Sequence, residues 1–390
     1  MSKILCIIDG MTDRDFCARD YPTLSSMHLL RRVDTTGGQE PESFGCILRL
    51  LGVKKVPAHL RGYAEALGHN IPVGTNDLVL RGSWFALDED GRCTVPVPAP
   101  EKLPAMESCC YYSLGEYKSL LVFPGMATFV SDIVTYPPYV CSGQSVQQLC
   151  PQGCGEVSRV FQSLLTKDRC LIPWGQSVSA SMASFPRKAA VVCGTPIVKG
   201  IARLLGMTVI PVPGATGDVD TDLIEKVKAA LYAAQTYPFV LLHINGADEA
   251  AHRRNPEEKR EFLNKVDDVV LPILLRSGYE INVVADHGTD PVTGQHLGGA
   301  QPLFTNVQGK TIRRKSDITE EVLKPSRMTE KEQQAWAIDQ LQKKAKELGS
   351  MPRKADFGDV DRIRIKAALG PWPRALEAAC LKERKPKQRK

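Results

Sequence analysis

Short apolar runs that end in glycine or acidic residues recur along this chain. They cover Lys3–Asp9, Ala189–Cys193, Phe239–Asn245 and Ile281–Ala285, and each has the length and composition of a buried strand that enters a turn. Between the last two, Pro256–Ser277 carries apolar residues at helical spacing after an acidic first turn, which predicts a crossover helix. Buried strands that alternate with amphipathic helices predict an α/β fold with a doubly wound, mainly parallel sheet.

The character of the sequence changes between residues 55 and 172, where short runs rich in β-branched residues are broken by proline and glycine. Leu78–Leu87 followed by Asp90-Gly91 predicts a strand and a hairpin turn. We therefore expect an inserted, smaller α+β domain over residues 55–172. Residues 1–54 and 173–310 would together form the core domain, which is discontinuous in sequence.

Residues 311–390 form a basic C-terminal extension with 21 Lys and Arg against 12 Asp and Glu. Thr329–Leu348 has the pattern of one amphipathic helix with acids early and lysines late, and the sequence beyond Gly349 is basic and broken by proline. We expect a solvated, partly helical extension, and the alternative is a tail that binds RNA, acidic lipid or an acidic partner. Aromatic residues are few there, so the sequence disfavours nucleic acid as a partner.

The overall composition of the 390 residues is that of a globular protein, with 43% hydrophobic and 24% charged residues. No apolar stretch is long enough to span a membrane, and the N-terminal residues do not have the pattern of a secretion signal. The twelve cysteines are spread thinly over a long chain. We therefore expect reduced thiols and a cytoplasmic protein rather than a disulfide framework.

Side chains that can bind metals follow the predicted strands. Asp248 and His252 stand four residues apart and would face one point on a helical turn, while the adjacent Asp286 and His287 occupy a turn. Each such residue alone is most simply a helix cap, a turn former or a packed histidine. Together they are oxygen and imidazole donors without cysteine, which favours Mn, Mg or Zn, and six ligands suit two ions. The full set is Asp9, Asp248, His252, Asp286, His287 and His296.

Two such cations about 4 Å apart support phosphoryl transfer, because they neutralise phosphoryl oxygens and lower the pKa of a bound hydroxyl. Ser43 is the candidate nucleophile, since it follows Gly37-Gly38 and opens a predicted helix over Ser43–Leu51. At a helix N-terminus its oxygen would lie where backbone amides favour phosphate. Taken alone, Ser43 is also explained as a helix N-cap.

Three motifs resemble the alkaline phosphatase superfamily: IIDG at 7–10, GADEAAH at 246–252 and ADHGTDPVTGQH at 285–296. Within that superfamily, the chain resembles the cofactor-independent phosphoglycerate mutases of the archaeal type. This narrower resemblance spans residues 3–305 and includes PESFGCILRLLGV at 41–53, PWGQ at 173–176 and GTPIVKGIARLLGMTVIPVPGATG at 194–217. It implies an alkaline phosphatase-like core with an inserted substrate-binding domain.

The resemblance also implies roles for individual residues. One metal ion would be held by Asp9, Ser43, Asp286 and His287, and a second by Asp248, His252 and His296. Ser43 would take the phosphoryl group from 3-phosphoglycerate and return it to give 2-phosphoglycerate, without bisphosphoglycerate, while the inserted domain keeps water out. Lys199 would lie near the transferred group, and the substrate-binding residues would be Asp77, Arg81 and Arg61. The Gly82-Ser83-Trp84 segment after Arg81 departs from the family pattern.

Other functions would use the same metal chemistry. A metal-dependent phosphohydrolase, or a mutase of another phosphorylated metabolite, would differ in the pocket of the inserted domain. A sulfatase is disfavoured because serine stands where that branch has its cysteine nucleophile. The expected partner is a small phosphorylated metabolite, rather than a membrane or a nucleic acid, and the sequence predicts no oligomeric state.

Overall fold

The computed structural model describes residues 2–103, 106–307, 330–357, 359–370 and 372–381. The strands are β1 (Lys3–Ile8), β2 (His28–Asp34), β3 (Leu78–Leu87), β4 (Cys93–Pro96), β5 (Cys110–Gly115), β6 (Lys118–Phe123), β7 (Arg169–Val178), β8 (Ala189–Val192), β9 (Thr208–Val209), β10 (Phe239–Ile244), β11 (Glu280–Val284), β12 (Gly288–Thr289), β13 (His296–Leu297) and β14 (Ala300–Thr305). The helices are α1 (Pro22–Ser25), α2 (Ser43–Leu50), α3 (Arg61–Gly68), α4 (Gly155–Ser163), α5 (Pro196–Leu204), α6 (Leu223–Ala233), α7 (Gly246–His252), α8 (Pro256–Lys265), α9 (Leu271–Arg276), α10 (Glu330–Leu348), α11 (Asp359–Leu369) and α12 (Trp372–Ala378).

The four apolar runs of the sequence become neighbouring strands of one seven-stranded sheet, in the order β2-β14-β11-β1-β10-β8-β9. β1 is central and runs parallel to both β10 and β11, so that Ile7 lies opposite His243 on one side and Val284 on the other. β8 continues the parallel set beside β10, whereas β14 runs antiparallel to both of its neighbours, β11 and β2. The predicted α/β fold with a mainly parallel sheet is confirmed. The carboxyl ends of its parallel strands lie at one edge, where polar residues can meet.

The predicted crossover over Pro256–Ser277 is helical with one irregular turn. α8 and α9 are joined at Val266–Val270 by a π-helical turn, in which the Leu271 N–H donates to Val266 O. Pro272 follows directly and has no N–H with which to continue the α-helical pattern. The widened turn accommodates this missing donor within one continuous helical segment.

A second, five-stranded sheet is antiparallel and has β3 at its centre. β3 pairs with β7 on one side and with β6 and β4 on the other, and β5 pairs with β6. The predicted turn at Asp90-Gly91 connects β3 to β4, with Gly91 at φ 70°. Asp88 Oδ1 accepts the Arg92 N–H at 2.8 Å, so the Asp88 side chain closes this turn.

The chain divides into two compact units. The first unit comprises Met1–Asp34, Arg187–Gly194 and Val209–Lys390, and it carries the parallel strands. The second unit comprises Thr35–Pro186 and Thr195–Thr208, and it carries the five-stranded sheet.

These bounds differ from those of the predicted domains, because α2 and α5 lie in the second unit with the strands of the predicted insert. α5 packs against both α2 and α3. The approach of α5 to α3 is so close that a Cβ on Gly200 would lie 1.8 Å from Ala64 O. Glycine at position 200 is therefore required by packing between helices that are far apart in sequence.

Three helices near the C-terminus share a small apolar core of their own. α10 corresponds to the helix predicted to begin at Thr329, a residue that lies outside the described ones, as does the rest of 308–329. α11 and α12 follow it, where the sequence pattern indicated no further helix. Leu341, Ile365 and Leu376 are buried in this core. Lys366 of α11 forms an ion pair with Asp220.

All twelve cysteines are free thiols, and Cys93 Sγ lies 3.6 Å from Cys170 Sγ. No helix in the described part of the chain is long and apolar enough to cross a membrane.

Candidate metal centre

Three neighbouring elements bring the predicted metal ligands of the first unit to one end of the parallel strands. Asp9 follows β1, and Asp286-His287 follow β11, its neighbour in the sheet. β10, the other neighbour of β1, leads directly into α7, which carries Asp248 and His252 one turn apart. His296 lies on β13, the second strand of a short hairpin. Six of the seven predicted metal ligands therefore come together in one unit.

Glycine at position 10 allows the loop after β1 to approach α7. Gly10 has φ 63°, and a Cβ there would lie 2.8 Å from Asp248 Cα. A side chain at this position would separate Asp9 from Asp248. Glycine in the IIDG motif therefore lets the loop after β1 bring Asp9 close to Asp248 in the candidate metal centre.

Asp248, His252 and His296 form one cluster that could hold a metal ion. Asp248 Oδ2 lies 3.2 Å from His252 Nε2, and Asp248 Oδ1 lies 3.6 Å from His296 Nε2. The two Nε2 atoms are 3.0 Å apart, so both imidazoles present the same nitrogen to one point. His252 Nδ1 faces Gly294 O at 2.8 Å, a contact that orients the ring with Nε2 toward the cluster.

Asp9, Asp248 and His287 form a second, buried cluster that shares Asp248 with the first. His287 Nε2 lies 3.5 Å from Asp9 Oδ1 and 3.4 Å from Asp286 Oδ2. Asp286 Oδ1 accepts the His287 N–H at 2.9 Å. The His287 ring stacks on that of His296 with 3.9 Å between centroids, which places the two clusters side by side.

The buried carboxylates fit a bound cation. Among the described residues, Asp9 Oδ1 and Asp286 Oδ2 are buried and have no hydrogen-bond partner. Burial, followed by the charges of Asp286 and Asp248, raises the pKa of Asp9 well above its usual range. A divalent cation would supply the positive charge that these oxygens lack. Carboxylate oxygens and imidazole nitrogens without a thiolate suit Mn, Mg or Zn.

In the first cluster, formed by Asp248, His252 and His296, nearby histidines outweigh the effect of burial on the carboxylate. Burial opposes ionisation of Asp248, but His252, His296 and His287 outweigh it and hold the pKa of Asp248 well below its usual range. Burial likewise lowers the pKa of His252, but Asp248 raises it to about 9. A metal ion binds the neutral imidazole and would displace this proton, so metal binding here would release protons.

Two further residues contact the predicted ligands, and the sequence pattern does not single them out. Thr289 Oγ1 donates to Asp248 Oδ1 at 2.6 Å and lies 3.3 Å from His287 Nδ1. His243 Nε2 lies 3.2 Å from Asp9 Oδ2, and burial lowers the pKa of His243 to about 3. The one available signal was a histidine inside the otherwise apolar run of β10.

The predicted substrate-binding arginines lie together in the second unit, and both are paired with carboxylates. Arg81 Nη1 lies 2.8 Å from Glu65 Oε2, and Arg61 Nη2 lies 3.5 Å from the same oxygen. Arg61 also forms an ion pair with Glu42. Both guanidinium groups lie over the Trp174 ring, at 5.5 Å for Arg61 and 5.2 Å for Arg81. Glu65, which the sequence pattern does not single out, is the centre of this arginine cluster.

The remaining predicted residues also belong to the second unit. Ser43 is the first residue of α2, as predicted, and is half-buried, while the N-cap position is occupied by Glu42. Lys199 lies in the first turn of α5. Asp77 accepts backbone N–H groups through both carboxylate oxygens, from Gly74 at 2.7 Å and from Gly125 at 3.3 Å.

An α/β fold whose parallel strands end in clustered carboxylates and imidazoles defines a metalloenzyme. A family model described as the metalloenzyme superfamily matches residues 174–324. The chain is 34% identical over 380 residues to 2,3-bisphosphoglycerate-independent phosphoglycerate mutase 1 of Methanocaldococcus jannaschii, covering 81% of this chain and 90% of the relative. It is 26% identical over 371 residues to the 2,3-bisphosphoglycerate-independent phosphoglycerate mutase of Methanococcus aeolicus, covering 80% and 90%. The chain belongs to the family of 2,3-bisphosphoglycerate-independent phosphoglycerate mutases.

A solved structure supports the fold. The PH0037 protein from Pyrococcus horikoshii superposes with a TM-score of 0.59 at 20% identity, covering 83% of this chain and 91% of that chain.

Proposed function

We propose that this protein interconverts 3-phosphoglycerate and 2-phosphoglycerate without bisphosphoglycerate, by metal-dependent phosphoryl transfer through a phosphoserine. The observation that carries the proposal is the convergence of six carboxylate and imidazole side chains near the ends of the parallel strands, in a chain of this family. The buried oxygens of Asp9 and Asp286, without hydrogen-bond partners among the described residues, support a bound cation as part of the working enzyme.

The proposed cofactors are two divalent metal ions, Mn, Zn or Mg. Bound cations supply neutralisation of phosphoryl oxygens and a lowered pKa for a coordinated hydroxyl. Asp9, Asp286 and His287 are the proposed ligands of one ion, which Ser43 would complete, and Asp248, His252 and His296 are those of the other. Asp248 lies in both structural clusters, which favours two ions close together.

Ser43 is the proposed phosphoryl acceptor. Its hydroxyl oxygen would bond to phosphorus while the bond from phosphorus to O3 of the glycerate breaks, and the serine proton would pass to that leaving oxygen. In the return step, O2 of the same glycerate would bond to phosphorus while the bond from phosphorus to the Ser43 oxygen breaks, and the O2 proton would pass to that serine oxygen. The position of Ser43 at the first residue of α2 supports this role, because the N–H groups of a helix N-terminus favour anions.

The second unit would bind the substrate through Arg61, Arg81, Lys199 and Asp77. The Nε atoms of Arg61 and Arg81 are buried and, among the described residues, have no hydrogen-bond partner. Buried guanidinium donors without acceptors favour an anionic ligand such as the carboxylate of phosphoglycerate. The proposed partner is thus a small phosphorylated metabolite. The proposed location is the cytoplasm, which the thin spread of cysteines along a long chain supports.

The test is a two-channel assay of the metal-reconstituted protein on 3-phosphoglycerate without bisphosphoglycerate. The formation of 2-phosphoglycerate and of free phosphate is followed in the same sample by phosphorus NMR. We expect the isomer without free phosphate, with loss of activity after EDTA and recovery after Mn²⁺. Ser43→Ala should remove activity, and Ser163→Ala, an exposed serine at the end of α4, is the matched control.

Two outcomes would change the proposal. Free phosphate without isomer would identify a metal-dependent phosphohydrolase built from the same ligands. No product in either channel, from protein that binds metal, would exclude phosphoglycerate and point to a mutase of another phosphorylated metabolite. A panel of phosphorylated acids and sugars would then identify the substrate.

A further inference from the structure

Lys259 places a buried positive charge beside the proposed metal centre. The residue lies in the first turn of α8 and is 2% exposed. Its ammonium donates to Thr289 O at 2.7 Å and to Thr12 O at 3.2 Å, and it pairs with Asp13 Oδ2 at 2.8 Å. Its three N–H donors thus have three acceptors, which is the condition under which a buried ammonium is tolerated.

The acceptors of Lys259 lie on two segments that carry proposed metal ligands. One is the loop after β1, which begins at Asp9, and the other is β12, which follows His287. The two segments also bond directly, since the Thr289 N–H donates to Thr12 O at 2.9 Å. Lys259 therefore cross-links both segments from α8.

Thr289 connects this cross-link to the ligands. Its carbonyl oxygen accepts from Lys259, and its hydroxyl donates to Asp248 Oδ1 at 2.6 Å and lies 3.3 Å from His287 Nδ1. A displacement of the Thr289 backbone would move this hydroxyl. Asp248, the carboxylate shared by both clusters, would then lose the contact that orients it.

We propose that Lys259 is a positioning residue of the metal centre, which holds Thr289 and the loop after β1 so that Asp9, Asp248 and His287 keep the arrangement that binds cations. The inference rests on the proposed metal centre. It predicts that removal of the Lys259 ammonium lowers the affinity for metal more than a substitution that only lowers stability does.

The test is Mn²⁺ binding to the full chain after removal of metal, measured by titration calorimetry and by electron paramagnetic resonance of the free ion. Lys259→Met keeps an apolar stem and removes the ammonium. We expect a 10- to 100-fold loss of Mn²⁺ affinity, the usual effect of removing a group that orients metal ligands. Leu274→Ala is the matched control, because Leu274 is fully buried in α9 on the same helical segment and its loss lowers stability. This control should bind Mn²⁺ as the wild type does.

The proposal is overturned if Lys259→Met binds Mn²⁺ within about threefold of the wild type, or if Leu274→Ala loses as much affinity. Should Lys259→Met fail to fold, Thr289→Val and Thr289→Ser test the same connection, since only serine keeps the hydroxyl. Valine should lose affinity at least about tenfold and serine should retain it, and equal affinities would overturn the proposal. A wild-type protein that binds no Mn²⁺ would instead refute the proposed metal centre itself.

Discussion

Replacement of Glu65 by glutamine tests how far the arginine cluster depends on one buried charge. The side chains of Glu65 and Arg81 are 6% and 5% exposed, and their ion pair spans 2.8 Å. Glu116 and Lys118 form an ion pair in the same unit, also at 2.8 Å, but their side chains are 62% and 27% exposed. The two pairs differ in burial and not in distance, so Glu116→Gln is the matched control.

The expected loss in the free energy of unfolding depends on whether the remaining charge is buried or reached by water. Glu65→Gln should lower the free energy of unfolding by about 3 kcal/mol, because it leaves Arg81 charged and buried without a charged partner. Glu116→Gln should lower it by less than about 1 kcal/mol, because water replaces the lost interaction. Urea denaturation of both variants and the wild type near neutral pH gives the two values.

The loss in Glu65→Gln should also depend on pH in a definite direction. Burial raises the pKa of Glu65, but Arg81 and Arg61 outweigh burial and hold it below the ordinary value of 4.5. A carboxyl group with a depressed pKa stabilises the folded state above the unfolded pKa and loses this contribution as the pH falls through the folded pKa. The difference between wild type and variant should therefore be largest at neutral pH and shrink below pH 4.5. Equal losses in Glu65→Gln and Glu116→Gln, or a difference that grows on acidification, would refute the reasoning.

Three further predictions concern the nucleophile, the helix packing and the metal. Ser43→Ala should abolish turnover with an unchanged circular dichroism spectrum, and more than about a hundredth of residual activity would reassign the nucleophile. Gly200→Ala should lose about 2 kcal/mol in urea denaturation, because its Cβ would lie 1.8 Å from Ala64 O where about 3.3 Å is needed. Gly155→Ala, whose Cβ meets no atom within 4 Å, should be neutral or stabilising, and equal midpoints would contradict the packing. EDTA should lower the melting temperature, and Mn²⁺ at 100 times its dissociation constant should restore about 2.7 kcal/mol, whereas no shift would contradict metal binding to the folded state.

The convergence of the proposed metal ligands of the first unit is predictable from sequence because it follows mainly from the sheet topology. Residues that follow parallel strands meet at one edge of the sheet, so Asp9 and Asp286 need only the strand order to be brought together. The position of His252 beside Asp248 follows from helical spacing alone. Only His296 needs the additional hairpin of β12 and β13.

The supporting residues are not predictable in the same way, because they act through contacts between segments far apart in sequence. Glu65 stands between alanines on α3, and only the folded chain shows that Arg81 of β3 reaches it. Lys259 has the pattern of a solvent-facing residue of α8, yet its ammonium is buried. The bounds of the two units likewise depend on how closely α5 packs against α3.

The missed helices at the C-terminus have a local reason. Proline in this region suggests broken structure, but Pro373 is the second residue of α12. Proline is tolerated in the first turn of a helix, where its missing N–H would have no partner within the helix. Proline can therefore interrupt a helix at one position and stand in the first turn of a helix at another.

The central place of β1 in the sheet has a consequence for the synthesis of the chain on the ribosome. β1 is made well before its neighbours in the sheet, because its register partner for Ile7 on β10 is His243 and β11 comes later still. At 5–20 residues per second, an apolar strand would wait roughly 10–50 s for its neighbours. During that interval the backbone groups of β1 are open to pairing with other chains. We therefore expect the nascent chain to need protection by a chaperone until β10 emerges, while the bulk of the second unit is already complete.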